Sequence, residues 1–358
     1  MRLMQTFTFY DRYLAEFCAR HPELEALDYE NQMRLLRLDG FAAGQILTPV
    51  LPDLGYETFL AVMNYLPAQG RWAMEHGLPA PRSRQEQLAL LARQVEEFRP
   101  DILYLGDPIL TDGRWVRSLT WKPRLVVGWR QAEIPPGTDW QGYDLMLSGD
   151  EAYRKAALAL GARASEPYRP GFPRFLADLV ADVPEQNDVV FTGQITRDHG
   201  SRLRCLSDLA KAAATGEPPF GLALFLAAHS PVPEELSRLD QGARWGLDMY
   251  RCLKAGRIVL NVHIDLTVPG VNFRIIETAG VGGFLLTETG PELNSLFAPG
   301  REVETYTGIG ELVEKIRHYL DHPAERKAMA RRAQERCLRD HCMEARAAWF
   351  NEIMRSHL

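Results

Sequence analysis

Short apolar runs alternate along this chain with longer stretches whose apolar positions recur every three or four residues. Residues 3–9 predict a first strand, and 11–20, 28–38 and 56–66 predict helices. Residues 84–98, RQEQLALLARQVEEF, form an amphipathic pattern with Leu88, Leu91, Val95 and Phe98 on one face. That helix must stop at Arg99-Pro100, because proline lacks the amide hydrogen and clashes with the preceding turn. Residues 101–105, 124–128 and 144–148 follow as apolar strand runs. Strands alternating with helices imply parallel βαβ units.

The composition shifts at residues 166–173, EPYRPGFP, with three prolines and a glycine, and residues 183–187 are polar. Residues 171–187 therefore read as a linker. A second series starts beyond it, with strands at 188–192, 221–226, 257–261 and 283–287. Helices are predicted at 201–214, 249–254, 272–279, 311–320, 323–339 and 343–355. The expected fold is α/β, with two doubly wound Rossmann-like domains facing an interdomain cleft. The expected boundaries are 1–170 and 188–340, with 341–358 as a C-terminal helix. In open α/β sheets ligands bind at the carboxyl ends of the strands, but the pattern itself names no reaction.

Composition narrows the classes further. Of 358 residues, 46% are hydrophobic and 25% charged, enough apolar content for packed cores and against disorder. The net charge is −6, which argues against a general nucleic-acid binder. Five cysteines without C-x-x-C spacing make a disulfide framework or zinc ribbon a poor fit, and reduced thiols in the cytoplasm the better one. The first residues lack the apolar region of a signal peptide, and residues 220–228 are too short to span a bilayer. Peripheral membrane contact is left open. The basic run Arg326, Lys327, Arg331, Arg332 and Arg336 is expected to be a solvated helix face.

Several motifs of the second half go together: residues 245–254 (WGLDMYRCLK), 257–265 (RIVLNVHID), 271–280 (VNFRIIETAG), 282–287 (GGFLLT) and 292–303 (ELNSLFAPGREV), then Tyr306 and residues 319–326. As a set they resemble the nucleotide-binding domain of CgeB-like glycosyltransferases, of the group-1 type with a GT-B fold. The similarity runs over about residues 188–350. The N-terminal half is more loosely similar to extended members, through Gln5-Thr6-Phe7, residues 29–32, 54–57, 72–75, 100–105 and 142–145. The resemblance implies a nucleotide-sugar donor on the C-terminal domain, with uridine as the prior base, and an acceptor on the N-terminal domain. It implies no metal and no other cofactor. The last helix would cross back onto the first domain, as in related GT-B enzymes.

Transfer from a nucleotide sugar puts positive charge on the anomeric carbon and negative charge on the departing diphosphate. The site therefore needs cations or backbone amides, a carboxylate for the ribose, and a group to steer the acceptor hydroxyl. By resemblance Glu277 holds the ribose hydroxyls. The group-1 pattern often has another glutamate eight residues earlier, where this chain has Pro269. Arg274, one helical turn before Glu277, can pair with a diphosphate or with Glu277 itself. Asn272 can cap the helix or touch ligand. Lys254 is a second phosphate cation or an exposed helix lysine. Tyr250 stacks on the base or ribose, or packs in a core. By resemblance the turn holding Gly193 faces the diphosphate, with Arg197 and His199 following. His263 and Asp265 form an H-x-D at a strand end, a pair too small for a metal site. Extended members carry a similar His-Ile-Asp, which implies a role near the donor sugar.

On the N-terminal side Asp107, in Gly-Asp-Pro after a strand, is a candidate base toward the acceptor, with turn chemistry as the alternative. Glu133 is a similar candidate. Trp129-Arg130 stands where a small, Gly-Gln-like turn is expected. The reading is a metal-independent glycosyltransferase acting on an acceptor hydroxyl not identified by the sequence. Its rivals are a non-catalytic GT-B-like protein binding a nucleotide or a partner, and a sugar-nucleotide epimerase.

Overall fold

The computed structural model describes residues 1–196, 200–263, 272–290 and 292–358. The chain divides into two compact units. The first contains residues 1–39, 44–170 and 346–358, and the second residues 40–43 and 171–345.

The first unit is built from β1 (Arg2–Phe7), α1 (Asp11–Arg20), α2 (Tyr29–Leu38), β2 (Glu57–Val62), α3 (Leu66–Glu75), α4 (Arg84–Phe98), β3 (Ile102–Leu105), α5 (Gly113–Ser118), β4 (Leu125–Trp129), β5 (Leu145–Ser148), α6 (Glu151–Ala159) and β6 (Ala164–Pro167). Its sheet has the order β2-β1-β3-β4-β5-β6, and every pairing is parallel. Each residue of β3 and β5 is buried, as expected of strands covered on both faces. The strand order reverses between β1 and β3, so their carboxyl ends open the switch point where such sheets bind ligands.

Residues 56–66 do not form the helix expected of them. They form β2, paired in register with β1 from Arg2 opposite Glu57 to Phe7 opposite Val62. A short apolar run satisfies the helical and the strand period alike, and here pairing decides it. The helix comes afterwards as α3, with Pro67 in its first turn, where proline costs least. α4 falls where expected, with a capping box at its start: Ser83 accepts from the Glu86 amide and Glu86 reaches back. It ends at Arg99 in a left-handed conformation, φ 49°.

The second unit holds α7 (Arg174–Leu179), β7 (Asn187–Ile195), α8 (Gly200–Thr215), β8 (Leu222–Ala228), α9 (Glu234–Ser237), α10 (Gly246–Ala255), β9 (Gly256–Asn261), α11 (Phe273–Gly280), β10 (Leu285–Glu288), β11 (Glu304–Tyr306), α12 (Ile309–Asp321) and α13 (Pro323–Asp340). Its parallel sheet has the order β11-β10-β9-β7-β8. The chain lays β8 on one side of β7 and then crosses to place β9 on the other. The switch point therefore lies at the carboxyl ends of β7 and β9. Residues 171–187, read as a linker, carry α7 and bury Phe172, Leu176 and Val180 in the core of this unit.

The last helix, α14 (Met343–His357), passes from one unit to the other, and residues 346–358 pack in the first. Phe350 is fully buried there, stacked on Tyr104 at 5.6 Å and edge-on to Tyr168. Tyr56 donates to Asn351 at 2.8 Å. No helix among the described residues is long and apolar enough to cross a membrane. The basic face of α13 is only partly solvated as expected, because Arg326 is 2% exposed and pairs with Glu185.

Truncating Phe350 to alanine leaves a cavity against two tyrosines and should destabilise the first unit by about 3–5 kcal/mol. Urea unfolding followed through the tyrosine and tryptophan signals checks this; a loss below about 1 kcal/mol would mean that the helix does not hold that unit together.

Candidate functional site

The carboxyl edge of the second sheet is fastened by side chains. Arg202, in the first turn of α8 and 6% exposed, donates from Nε and Nη2 to the Val262 carbonyl at 3.2 and 2.8 Å. Its Nη1 donates to the Gln194 carbonyl at 2.7 Å. One guanidinium thus ties the end of β7 to the residue following β9. Asn261, the last residue of β9, donates to Thr287 Oγ1 at 2.9 Å and accepts from Asn272 Nδ2 at 2.9 Å. The Tyr306 hydroxyl donates to the Asn261 carbonyl at 3.2 Å. The His263 amide donates to Glu288 Oε2 at 2.6 Å.

His263 lies inside this frame, 4% exposed. Asn272 Nδ2 sits 3.4 Å from its Nδ1, and its Nε2 is buried with no partner among the described residues. Burial, reinforced by the Arg202 charge, holds its pKa down to about 4. The imidazole is therefore neutral at physiological pH. Asn272 occupies the cap position of α11, but its side chain makes no capping bond. Its Nδ2 donates to Asn261 Oδ1, and its Oδ1, the atom that would cap, is buried without a partner among the described residues, so none of their side chains caps the first-turn amides of α11. Such uncapped amides, at the positive end of a helix dipole, suit an anion.

One turn further along α11, Glu277 is 8% exposed. Arg274 Nη1 donates to its Oε2 at 2.7 Å, and the Tyr250 hydroxyl to its Oε1 at 3.2 Å. A carboxylate accepts about four hydrogen bonds, and the described residues supply two of them. Arg274 also contacts Met249 Sδ at 2.9 Å, and its Nε is buried without a partner among the described residues.

Tyr250 does not offer a stacking surface. It is 1% exposed, edge-on to Phe172, and burial beside the Glu277 charge raises its pKa. It packs in the core and positions Glu277. Gly193 is not in a turn, because β7 continues to Ile195 and Gly193 pairs with Leu226. It still lies near the carboxyl end of that strand. Lys254 is at the other edge of the sheet: it precedes Gly256, where β9 begins, while Asn261 and His263 follow where β9 ends. It therefore does not join the other donor candidates. Arg197, His199, Asp265 and Pro269 lie outside the described residues.

In the first unit Asp107 follows β3 at the switch point. Its Oδ1 accepts from the Ile109 and Leu110 amides at 3.3 Å each, so the turn role is real. Arg130, just after β4, lies within electrostatic reach of Asp107; burial lowers its pKa and the Asp107 charge opposes that. The Arg130 guanidinium folds onto the Ala132 and Glu133 carbonyls, and Glu133 is exposed.

Arg202, Asn261, Thr287, Glu288 and Tyr306 were not foreseen as parts of this edge. Arg202 had a legible signal, since it shares the core face of α8 with Leu206, Leu209 and Ala213. A charge at such a position must be paired. Among the described residues, no three His, Cys, Asp or Glu side chains are placed to hold a metal.

Residues 225–352, which contain β9, α11 and β10, match a family described as glycosyl transferase-like. The whole chain is similar in fold to solved GT-B structures. Against Anabaena HepE in complex with UDP-glucose, the TM-score is 0.60 at 13% identity, over 99% of this chain and all of that one. A glycosyltransferase from Rickettsia africae gives 0.59 at 9%, over 99% and 98%. A sucrose-phosphate synthase from Thermosynechococcus elongatus gives 0.58 at 12%, over 99% and 98%. No curated protein sequence matches the chain. Two parallel Rossmann-like sheets and these likenesses make the fold GT-B.

The His263 environment has a pH consequence. A histidine whose folded pKa lies below its unfolded value of about 6.5 stabilises fully above that value and loses the contribution as pH falls toward 4. The loss should approach ~3 kcal/mol between pH 7 and 4. In His263→Gln this part of the slope should vanish. Denaturant titrations at several pH values test it, and parallel slopes for the two proteins would contradict the assignment.

Proposed function

We propose that this protein is a glycosyltransferase, in the CgeB-like branch of the group-1 enzymes, that uses a nucleotide sugar without a metal ion. One observation carries the reading. Within the segment similar to glycosyl transferases, a nearly buried carboxylate is held by Arg274 and Tyr250 one turn beyond an uncapped helix start at the switch point. In this reading Glu277 accepts both ribose hydroxyls. The amino end of α11 and the free edge of Arg274 face the diphosphate, where charge grows as the bond to the sugar breaks. Gly193 lets the end of β7 approach the same phosphates.

His263, neutral at physiological pH, hydrogen-bonds the donor sugar or the acceptor hydroxyl. Asp107 is favoured over Glu133 as the base that receives the acceptor proton, because it follows the carboxyl end of β3 at the switch point, whereas Glu133 is an exposed residue beyond β4. The acceptor belongs to the first unit in this reading. HepE has been solved with UDP-glucose, so UDP-hexoses are the first donors to test. Protonation of His263 at low pH would remove its acceptor capacity, which sets the acid limb of activity.

Glu277→Gln should weaken UDP binding by about tenfold or more in calorimetry with EDTA present, since a buried charge-assisted bond is worth roughly 1.5–3 kcal/mol. Wild-type affinity in the variant would refute the ribose contact. Binding of UDP without turnover against any donor and acceptor would instead favour a binding protein, and sugar isomerisation without acceptor an epimerase. Asp107→Asn should lower kcat by about 100-fold or more while leaving donor affinity unchanged. An unaltered kcat would remove Asp107 as the base.

A further inference from the structure

The amino edge of the second sheet carries chemistry that the donor reading does not use. The chain entering β9 and β10, together with α13, encloses a pocket of about 380 Å³. Five cations line it, Lys254, Arg257, Arg326, Lys327 and Arg331, and Glu185 is the one carboxylate among the lining residues. This is a local positive excess in a chain whose net charge is −6.

Two of the cations are already committed. Arg257 pairs with Asp188. Arg326, nearly fully buried, donates to Glu185 Oε2 and to the Tyr319 carbonyl, both at 2.9 Å. Even so its Nε remains buried without a partner among the described residues. Lys327 stays 3.9 Å from the same Glu185 oxygen, too far for a hydrogen bond. Lys254 is half-buried, and no hydrogen bond or ion pair among the described residues receives its ammonium. Burial pulls its pKa down, and of the charges facing it Glu185 opposes that while Lys327 adds to it.

Crowding several ammonium and guanidinium groups around one half-buried lysine is unfavourable, and the repulsion falls when an anion enters. Asp188, paired with Arg257, and Glu185 together cannot neutralise five cations. The volume falls within the range of small-molecule sites. We infer that the pocket binds a small phosphorylated anion, of the pyrophosphate or sugar-phosphate class, through Lys254 and Lys327, with Arg326 as the buried anchor. β9 separates it from Asn261 by about 17 Å of extended backbone, so it is distinct from the candidate donor site.

The test is calorimetric titration of inorganic pyrophosphate, and separately of glucose 6-phosphate, into the full-length chain with excess UDP present. At least one probe should bind. Lys254→Gln should weaken it about tenfold or more, the size expected for a lost charge-assisted bond. Lys327→Gln, on an exposed side chain, should weaken it less. Glu185→Gln removes the competing carboxylate and should strengthen binding, a change of sign that mere destabilisation would not produce. UDP affinity should stay the same in all three. No binding of either probe at millimolar concentration, affinity indifferent to Lys254→Gln, or a parallel loss of UDP binding would overturn the inference. Failure of UDP to bind wild type would count against the donor reading alone, because the pyrophosphate response would still stand or fall on its own variants.

Discussion

A parallel sheet ends all its strands at one edge, and the backbone groups released there must find partners or water. In the second unit this constraint is met by Arg202. Its guanidinium donates to the carbonyls of Gln194 and Val262 and so fixes the spacing of the two strand ends that bound the switch point. Planar donors in a rigid fork suit the task better than a flexible ammonium would. Asn261 and Tyr306 extend the fastening to β10 and β11. With that edge fixed, Asn272 is drawn toward Asn261 rather than onto its own helix, and the start of α11 is left open. The candidate anion position is therefore a by-product of how the sheet edge is satisfied.

The first unit solves the same problem with backbone closeness. A Cβ on Gly106 would overlap the Phe7 ring and lie 2.7 Å from the Thr6 carbonyl, so only glycine lets β3 leave the sheet across β1. Asp107 then takes up the amides of the next turn. Its role as a turn cap does not compete with a chemical role. Both amide bonds fall on Oδ1, so the turn role uses one oxygen of the carboxylate.

Much of the architecture was legible because parallel, doubly covered strands are continuous apolar runs, and β3, β4, β5, β8 and β9 announce themselves in that way. β2 was not, since residues 56–66 fit both periods and only the partner β1 selects one. β6 and β11 were missed for another reason. They are short edge strands, and β6 ends in Pro167, so their sequences read as loop. Of the residues singled out near the donor, Asn272 meets His263 and Arg274 meets Glu277, as two pairs at the start of α11. Tyr250 was legible as a site residue but not in its manner of acting, because a pattern of apolar spacing does not reveal that a phenol is buried against a carboxylate. Lys254 was misplaced because a position just before a strand and one just after it are close in sequence and a strand length apart in space.

The basic amino edge has a simpler explanation that has to be weighed. Helices in such units run opposite to the strands, so their negative ends collect where the strands begin, and Lys254 lies in the last turn of α10. A cation there gains typically 0.3–1 kcal/mol from the dipole. That accounts for a lysine on an exposed helix end. It does not account for a second lysine placed beside it with a single carboxylate, Glu185, facing both. Nor does it explain why the surrounding side chains leave a concave space instead of filling it. Packing normally closes such a space with apolar groups or with a paired carboxylate for each cation. A hollow lined by five cations and one carboxylate is what remains when the missing partner is a molecule rather than a side chain.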